Sequence, residues 1–150
     1  MKSPYYVATV TNAYRQRLDG LGQGDDPEAL ALLRRELDAV SHRAYASGFY
    51  FGGMKRHAPD DGIYRQDCVF VAVVVEKPEA GRARLQLRNR LRRGDILEIL
   101  APGRAGQALV AENLAAPDGT ALDEVVEPMA LFDMDAPDWL APGDMLRRRL

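Results

Sequence analysis

The run Cys68–Glu76 (CVFVAVVVE) constrains the fold more than any other stretch of the chain. Five valines favour a pleated backbone, and apolar residues on both faces require cover on both sides, which predicts a central strand. After a turn at 77–81, residues 82–91 alternate. Ala83, Leu85, Leu87, Asn89 and Leu91 take one face, and Arg82, Arg84, Gln86, Arg88 and Arg90 the other. Further strands are expected at 95–100, 107–115, 121–126, 128–134 and 144–149. Turn signals at Gly94, Pro102–Gly103, Asp118–Gly119 and Pro142–Gly143 separate them. Six or seven short strands at this spacing predict a small closed β-barrel.

The first 67 residues have another texture. Ser3–Pro4 is a helix cap followed by a first-turn proline, and Tyr6, Val7, Val10, Ala13, Tyr14 and Leu18 follow at helical spacing. Gly20, Gly22 and Gly24 make a connector. Asp26–Pro27 repeats the cap signal, and Leu30, Leu33, Leu37 and Val40 form a second stripe. Both helices are too short to stand alone in water, so they must pack on the strands. Residues 41–67 read as irregular, with Tyr45, Phe49, Tyr50 and Phe51 clustered among glycines and a polar loop from Met54 to Gly62. The expected organisation is α+β, mainly β: a helical segment and aromatic connector at 1–67 and a β domain at 68–150. Arg93-Gly94-Asp95-Ile96-Leu97 and Pro142-Gly143-Asp144-Met145-Leu146 repeat a Gly-Asp turn leading into a strand. That pair resembles the six-stranded barrel of the second domain of translational GTPases. No phosphate-cradling G-x-x-x-x-G-K-[ST] loop accompanies it.

At 150 residues, 47% apolar and 28% charged, the chain is neither a disordered segment nor a disulfide scaffold. One cysteine, Cys68, cannot hold a metal or an iron–sulfur cluster alone and reads as a buried thiol. No run approaches the roughly 20 apolar residues of a membrane span. The first residues also lack the basic-then-apolar layout of a secretory signal, so a cytoplasmic location is expected.

Catalytic constellations are not found. His42 and His57 lie outside any metal-binding spacing, and His42 reads as a packing or hydrogen-bonding residue. Asp25–Asp26 and Asp60–Asp61 read as cap or turn residues. Charge distribution is more informative. The net charge of −2 hides 17 basic against 13 acidic residues over 1–104, and 3 against 9 over 105–150. Arg82, Arg84, Arg88, Arg90, Arg92 and Arg93 form an acid-free row. Alternate positions on a strand lie about 6.6 Å apart, close to phosphate spacing, and a guanidinium binds phosphate bidentately. The row reads either as an RNA-backbone contact or as an exterior paired with acids of a neighbouring strand. The aromatics, beside Lys55 and Arg56, either stack bases or anchor a loop on the core.

Three motifs resemble one family. Ser41-His42-Arg43-Ala44-Tyr45-Ala46-Ser47-Gly48-Phe49-Tyr50-Phe51-Gly52 resembles the S-H-R-x-Y-x-[TS]-G-F-Y-F-G segment of the peptidase U32 family, also called collagenase-like proteases. Met1-Lys2-Ser3-Pro4-Tyr5-Tyr6-Val7-Ala8 resembles the stretch that follows the family's catalytic region. Arg88-Asn89-Arg90 with Gly94-Asp95 resembles its Q-R-N-[KR]-x-x-x-G-D, with Leu87 in place of the Gln. The resemblance implies a C-terminal accessory domain of a larger enzyme. The resemblance also implies that this enzyme's N-terminal catalytic region carries an iron–sulfur cluster and acts either as a peptidase or, as in some family members, in prephenate-dependent hydroxylation of tRNA or ribosomal RNA. No cofactor is expected in this segment, which is itself expected to be non-catalytic. Its expected partners are RNA and the N-terminal catalytic region, with no membrane. The alternatives are peptide or protein substrate binding in a U32 protease, or a docking or dimerisation module. The docking alternative predicts an exposed apolar patch along the first helix.

Overall fold

The computed structural model describes residues 2–22, 24, 26–45, 50 and 63–150. Helix α1 spans Pro4–Asp19, with the Ser3 hydroxyl accepting from the Tyr6 amide, and α2 spans Pro27–Asp38, with Asp26 accepting from the Glu28 amide. Both caps satisfy amides that a helix start leaves unpaired. The strands are β1 (Cys68–Glu79), β2 (Arg82–Leu87), β3 (Leu91–Arg92), β4 (Ile96–Ala101), β5 (Arg104–Val110), β6 (Glu124–Val125), β7 (Leu131–Asp135) and β8 (Met145–Arg149). Six form an antiparallel sheet in the order β5-β4-β8-β1-β2-β7, while β3 and β6 pair separately.

The fold is two helices on a mainly antiparallel β domain, but the expected barrel does not close. β5 and β7 are the two ends of the sheet. The strand expected at 107–115 stops at Val110, and the chain then leaves β5 to meet β7. Ala115 and Asp133 exchange both backbone hydrogen bonds, and Asp135 donates to the Glu112 carbonyl. These few bonds bridge the gap without a ladder. The expected strand at 121–126 shrinks to Glu124–Val125, and that at 128–134 shifts to Leu131–Asp135.

One face of the sheet builds the main core from Val71, Leu85, Leu87, Leu97, Ile99, Phe132 and Leu146. β1 is covered on both sides, as its valines require. Its other face, with those of β4 and β8, lies under the helices, where Tyr5, Val40 and Leu100 pack with Phe70 and Met145. The Tyr5 and Phe70 rings stack at 5.1 Å.

The two Gly-Asp turns are structurally equivalent. Gly94 (φ +84°) and Gly143 (φ +96°) take the left-handed conformation that glycine tolerates best. In each turn the aspartate accepts from the amide three residues earlier, Asp95 from Arg92 at 3.0 Å and Asp144 from Ala141 at 2.8 Å. They lead into β4 and β8, which are neighbours in the sheet.

Helix α1 departs from the sequence reading. It buries Tyr5, Thr9, Asn12 and Ala13, while Val7, Tyr14 and Leu18 are exposed. Polar residues win the inner face because backbone groups there bond them. Thr9 donates to the Tyr5 carbonyl, and Asn12 donates to the Arg104 carbonyl and accepts from the Gly103 amide.

Candidate nucleic-acid interface

The arginine row breaks in two. Alternation in β2 runs from Arg82 to Leu87, and there the strand ends. The amides of Arg88 and Asn89 converge on the Val71 carbonyl, and the Asn89 side chain accepts from the Arg90 amide at 2.9 Å. Arg88, Arg90, Arg92 and Arg93 therefore do not continue the β2 face; they belong to the bend and to β3. Asn89 shapes this bend and Asp95 the turn after β3, which gives the R-N-R…G-D motif a structural role.

Register decides the partners on β2. Arg82 lies opposite Asp135 and Arg84 opposite Asp133 on β7. Arg84 holds both Asp133 oxygens, at 2.8 and 3.1 Å, and Arg82 reaches Asp135 at 3.1 Å. The Asp133 hydrogen bond raises the Arg84 pKa above its ordinary value. On the smaller sheet Arg90 and Arg92 share Glu124, whose carboxyl the Arg90 hydrogen bond holds below its usual range. Arg88 contacts the Met129 sulfur. Among the described residues Arg88 and Arg93 make no ion pair. Cross-strand pairing thus neutralises much of the row.

A second ionic cluster was not legible as such in the sequence. In the expected strand at 144–149, alternation in β8 turns Met145 and Arg147 inward, towards the helices. Arg147 is 0% exposed. It donates to Glu36 of α2 at 2.5 Å and to Glu98 of β4 at 2.9 and 3.0 Å, while Arg149 donates to Glu98 at 3.0 Å. Desolvation opposes the Arg147 cation, but Glu36 outweighs it and raises the pKa. Burial likewise works against the Glu98 carboxylate, and the two arginines more than compensate, holding its carboxyl low. Nearby, burial pushes the Tyr5 phenol up to about 12 and raises the Cys68 thiol. Cys68 is fully buried, as expected of a structural thiol. This cluster joins the helices to the sheet and leaves no charge for a ligand.

A further set of exposed cationic and aromatic groups flanks the two helices. His42 and Arg65 exchange backbone hydrogen bonds, which ties the chain after α2 to the residues before β1. The His42 Nδ1 lies 2.8 Å from the Val40 carbonyl, and its Nε2 is 3.5 Å from Asp38. Its ring stacks on Tyr45 at 4.4 Å, and the Tyr45 hydroxyl donates to the Leu37 carbonyl at 2.8 Å. Partial burial, then the nearby Tyr6 and Asp38, push the Tyr45 phenol up to about 12. Lys2 donates to the Ser41 carbonyl and lies 4.3 Å over the Tyr6 ring, so the opening motif meets the one 40 residues later. Arg43 lies over Tyr64 at 5.1 Å. Tyr50 is exposed, and Gly48, Phe49, Phe51, Gly52, Lys55, Arg56 and His57 lie outside the described residues.

The comparisons with known proteins agree with these motifs. The family model described as the peptidase family U32 C-terminal domain matches residues 66–147, and that of peptidase family U32 matches residues 1–59. The chain belongs to peptidase family U32. It is 28% identical, over 99% of its own length, to the tRNA hydroxylation protein P1 of Bacillus subtilis (strain 168), and spans 36% of that protein. The selenomethionine form of the C-terminal domain of a Geobacillus thermoleovorans U32 peptidase is 30% identical. It superposes with a TM-score of 0.50, covering 53% of this chain and 99% of that one. An iron–sulfur cluster, which the resemblance implies for the catalytic region, does not fit this U32 chain. Its single cysteine is buried, and among the described residues no group of three or more His, Cys, Asp or Glu could hold a metal.

Proposed function

We propose that this U32 chain is an accessory domain that positions RNA, tRNA above all, for hydroxylation by a catalytic region. The observation that carries this reading is the likeness along nearly the whole chain to a tRNA hydroxylation protein. Supporting it is a surface that carries cations beside exposed tyrosines, the composition that binds nucleic acid through phosphates and base faces together. Of the arginine row, Arg88 and Arg93 contribute most, because Asp133, Asp135 and Glu124 hold Arg84, Arg82, Arg90 and Arg92. The test is the affinity of the chain for a tRNA transcript as salt rises. The expected result is a linear fall of log K with log salt. Absence of binding at low salt overturns the reading.

One observation favours a second reading, docking onto the catalytic region. Val7, Tyr14, Leu18 and Leu21 lie at positions of α1 and the turn after it that share a helical face, each more than half exposed. This is the apolar patch that a docking role predicts. Loss of association with a separately produced catalytic region in a Val7→Lys, Leu18→Lys variant is its test.

A further inference from the structure

All six tyrosines of the chain fall within its first 64 residues. Only Tyr5 is buried; Tyr14, Tyr45 and Tyr64 are 59%, 55% and 58% exposed. Tyr45 is fixed at both ends, its ring against His42 and its hydroxyl on Leu37, so little rotamer freedom remains to be lost on binding. Tyr14 lines a groove between the helices with Arg34 and with Leu37, the residue that holds Tyr45. Lys2 and Arg43 sit over the neighbouring Tyr6 and Tyr64 rings. Among the described acids, Asp38 lies beside His42, and Glu36 points inward to Arg147. A fixed, open Tyr45 ring with further open tyrosines and cations around it has the composition of a stacking platform, and such platforms accept unpaired bases rather than duplex.

We propose that this face, formed by the helices and the segments flanking them, and not the strand bearing Arg82 and Arg84, is the site that takes single-stranded RNA. Tyr14, Tyr45 and Tyr64 stack bases, and Lys2, Arg34 and Arg43 contact phosphates. The proposal rests on the RNA reading above and specifies where and in what form RNA is held.

The test uses the whole chain and fluorescence anisotropy with a labelled oligouridylate, alongside a duplex of equal length. The Tyr45→Ala, Tyr64→Ala variant is expected to bind oligouridylate about tenfold more weakly or worse, whereas Tyr45→Phe stays within about twofold. Lys2→Glu with Arg43→Glu, both exposed, gives the same loss without removing a packed ring. Thermal melting confirms that each variant is folded. Unchanged oligouridylate affinity in both the alanine and the glutamate variants overturns the proposal. So does duplex binding as tight as single-strand binding, or unchanged RNA affinity accompanied by dissociation of a wild-type dimer, which would make the face a protein interface. Failure of the wild-type chain to bind any RNA removes the broader reading as well, which separates the two failures.

Discussion

Removing the Glu36 carboxylate tests how the helices are held on the sheet. In a Glu36→Leu variant Arg147, with no exposed surface, keeps only Glu98, which already serves Arg149. Breaking a buried pair by deleting one partner costs about 3–5 kcal/mol, and the surviving Glu98 contact puts this case near the lower end, about 3 kcal/mol. For a chain of this size that corresponds to a fall in Tm of about 6–12 °C. Arg147→Met carries a similar cost, since it strands Glu36 in the interior. The double variant should recover most of the loss and lie within about 1 kcal/mol of the parent. Glu36 Oε2 and Arg147 Nη1 have no hydrogen-bond partner among the described residues, so the pair is incompletely satisfied and apolar side chains replace it at little cost. Urea unfolding followed by circular dichroism, arranged as a double-mutant cycle, measures the coupling. Single variants that each cost under about 1 kcal/mol, or a double variant whose cost is the sum of the two, would refute the buried pairing.

Two further predictions concern the same framework. The folded Tyr5 phenol titrates near 12 against an ordinary 10.0, so the unfolded chain loses its proton first. Its contribution is complete below pH 10 and is lost as pH rises towards 12, and Tyr5→Phe should flatten that part of the stability profile measured by urea midpoints. At the equivalent turns, a Cβ on Gly94 or Gly143 would meet no atom, so Gly94→Ala and Gly143→Ala should each cost about 1–2 kcal/mol from backbone conformation alone. Equal losses in the two would support the equivalence of the turns, and no loss in either would contradict the left-handed geometry.

The β domain was legible because its strands carry local signals: the valine run of β1, strict alternation through Leu87, and a Gly-Asp turn ahead of both β4 and β8. What was not legible depended on distant partners. Alternate arginines continue past Leu87 in the letters, but the backbone bends where the Arg88 and Asn89 amides meet the Val71 carbonyl, and periodicity alone does not reveal that. The acids that neutralise Arg82 and Arg84 lie about 50 positions away on β7 and follow only from register. Arg147 is hidden in a run of three arginines; its burial needs both the alternation of β8 and the knowledge that helices cover that face. The outer face of α1 misled because Thr9 and Asn12 find backbone partners that a hydrophobic stripe does not anticipate. The nucleic-acid candidates therefore divide differently from the sequence reading. The row on β2 is mostly consumed by structure, and the tyrosine motif residues stand out on the surface.

The most direct measurement is photochemical cross-linking of the intact chain to a tRNA transcript, with the linked peptides identified by mass spectrometry. The account predicts links to peptides bearing Tyr14, Tyr45 and Tyr64, reduced by competing single-stranded oligouridylate. Links confined to the peptide carrying Arg82 and Arg84, or none above a non-irradiated control, would contradict it.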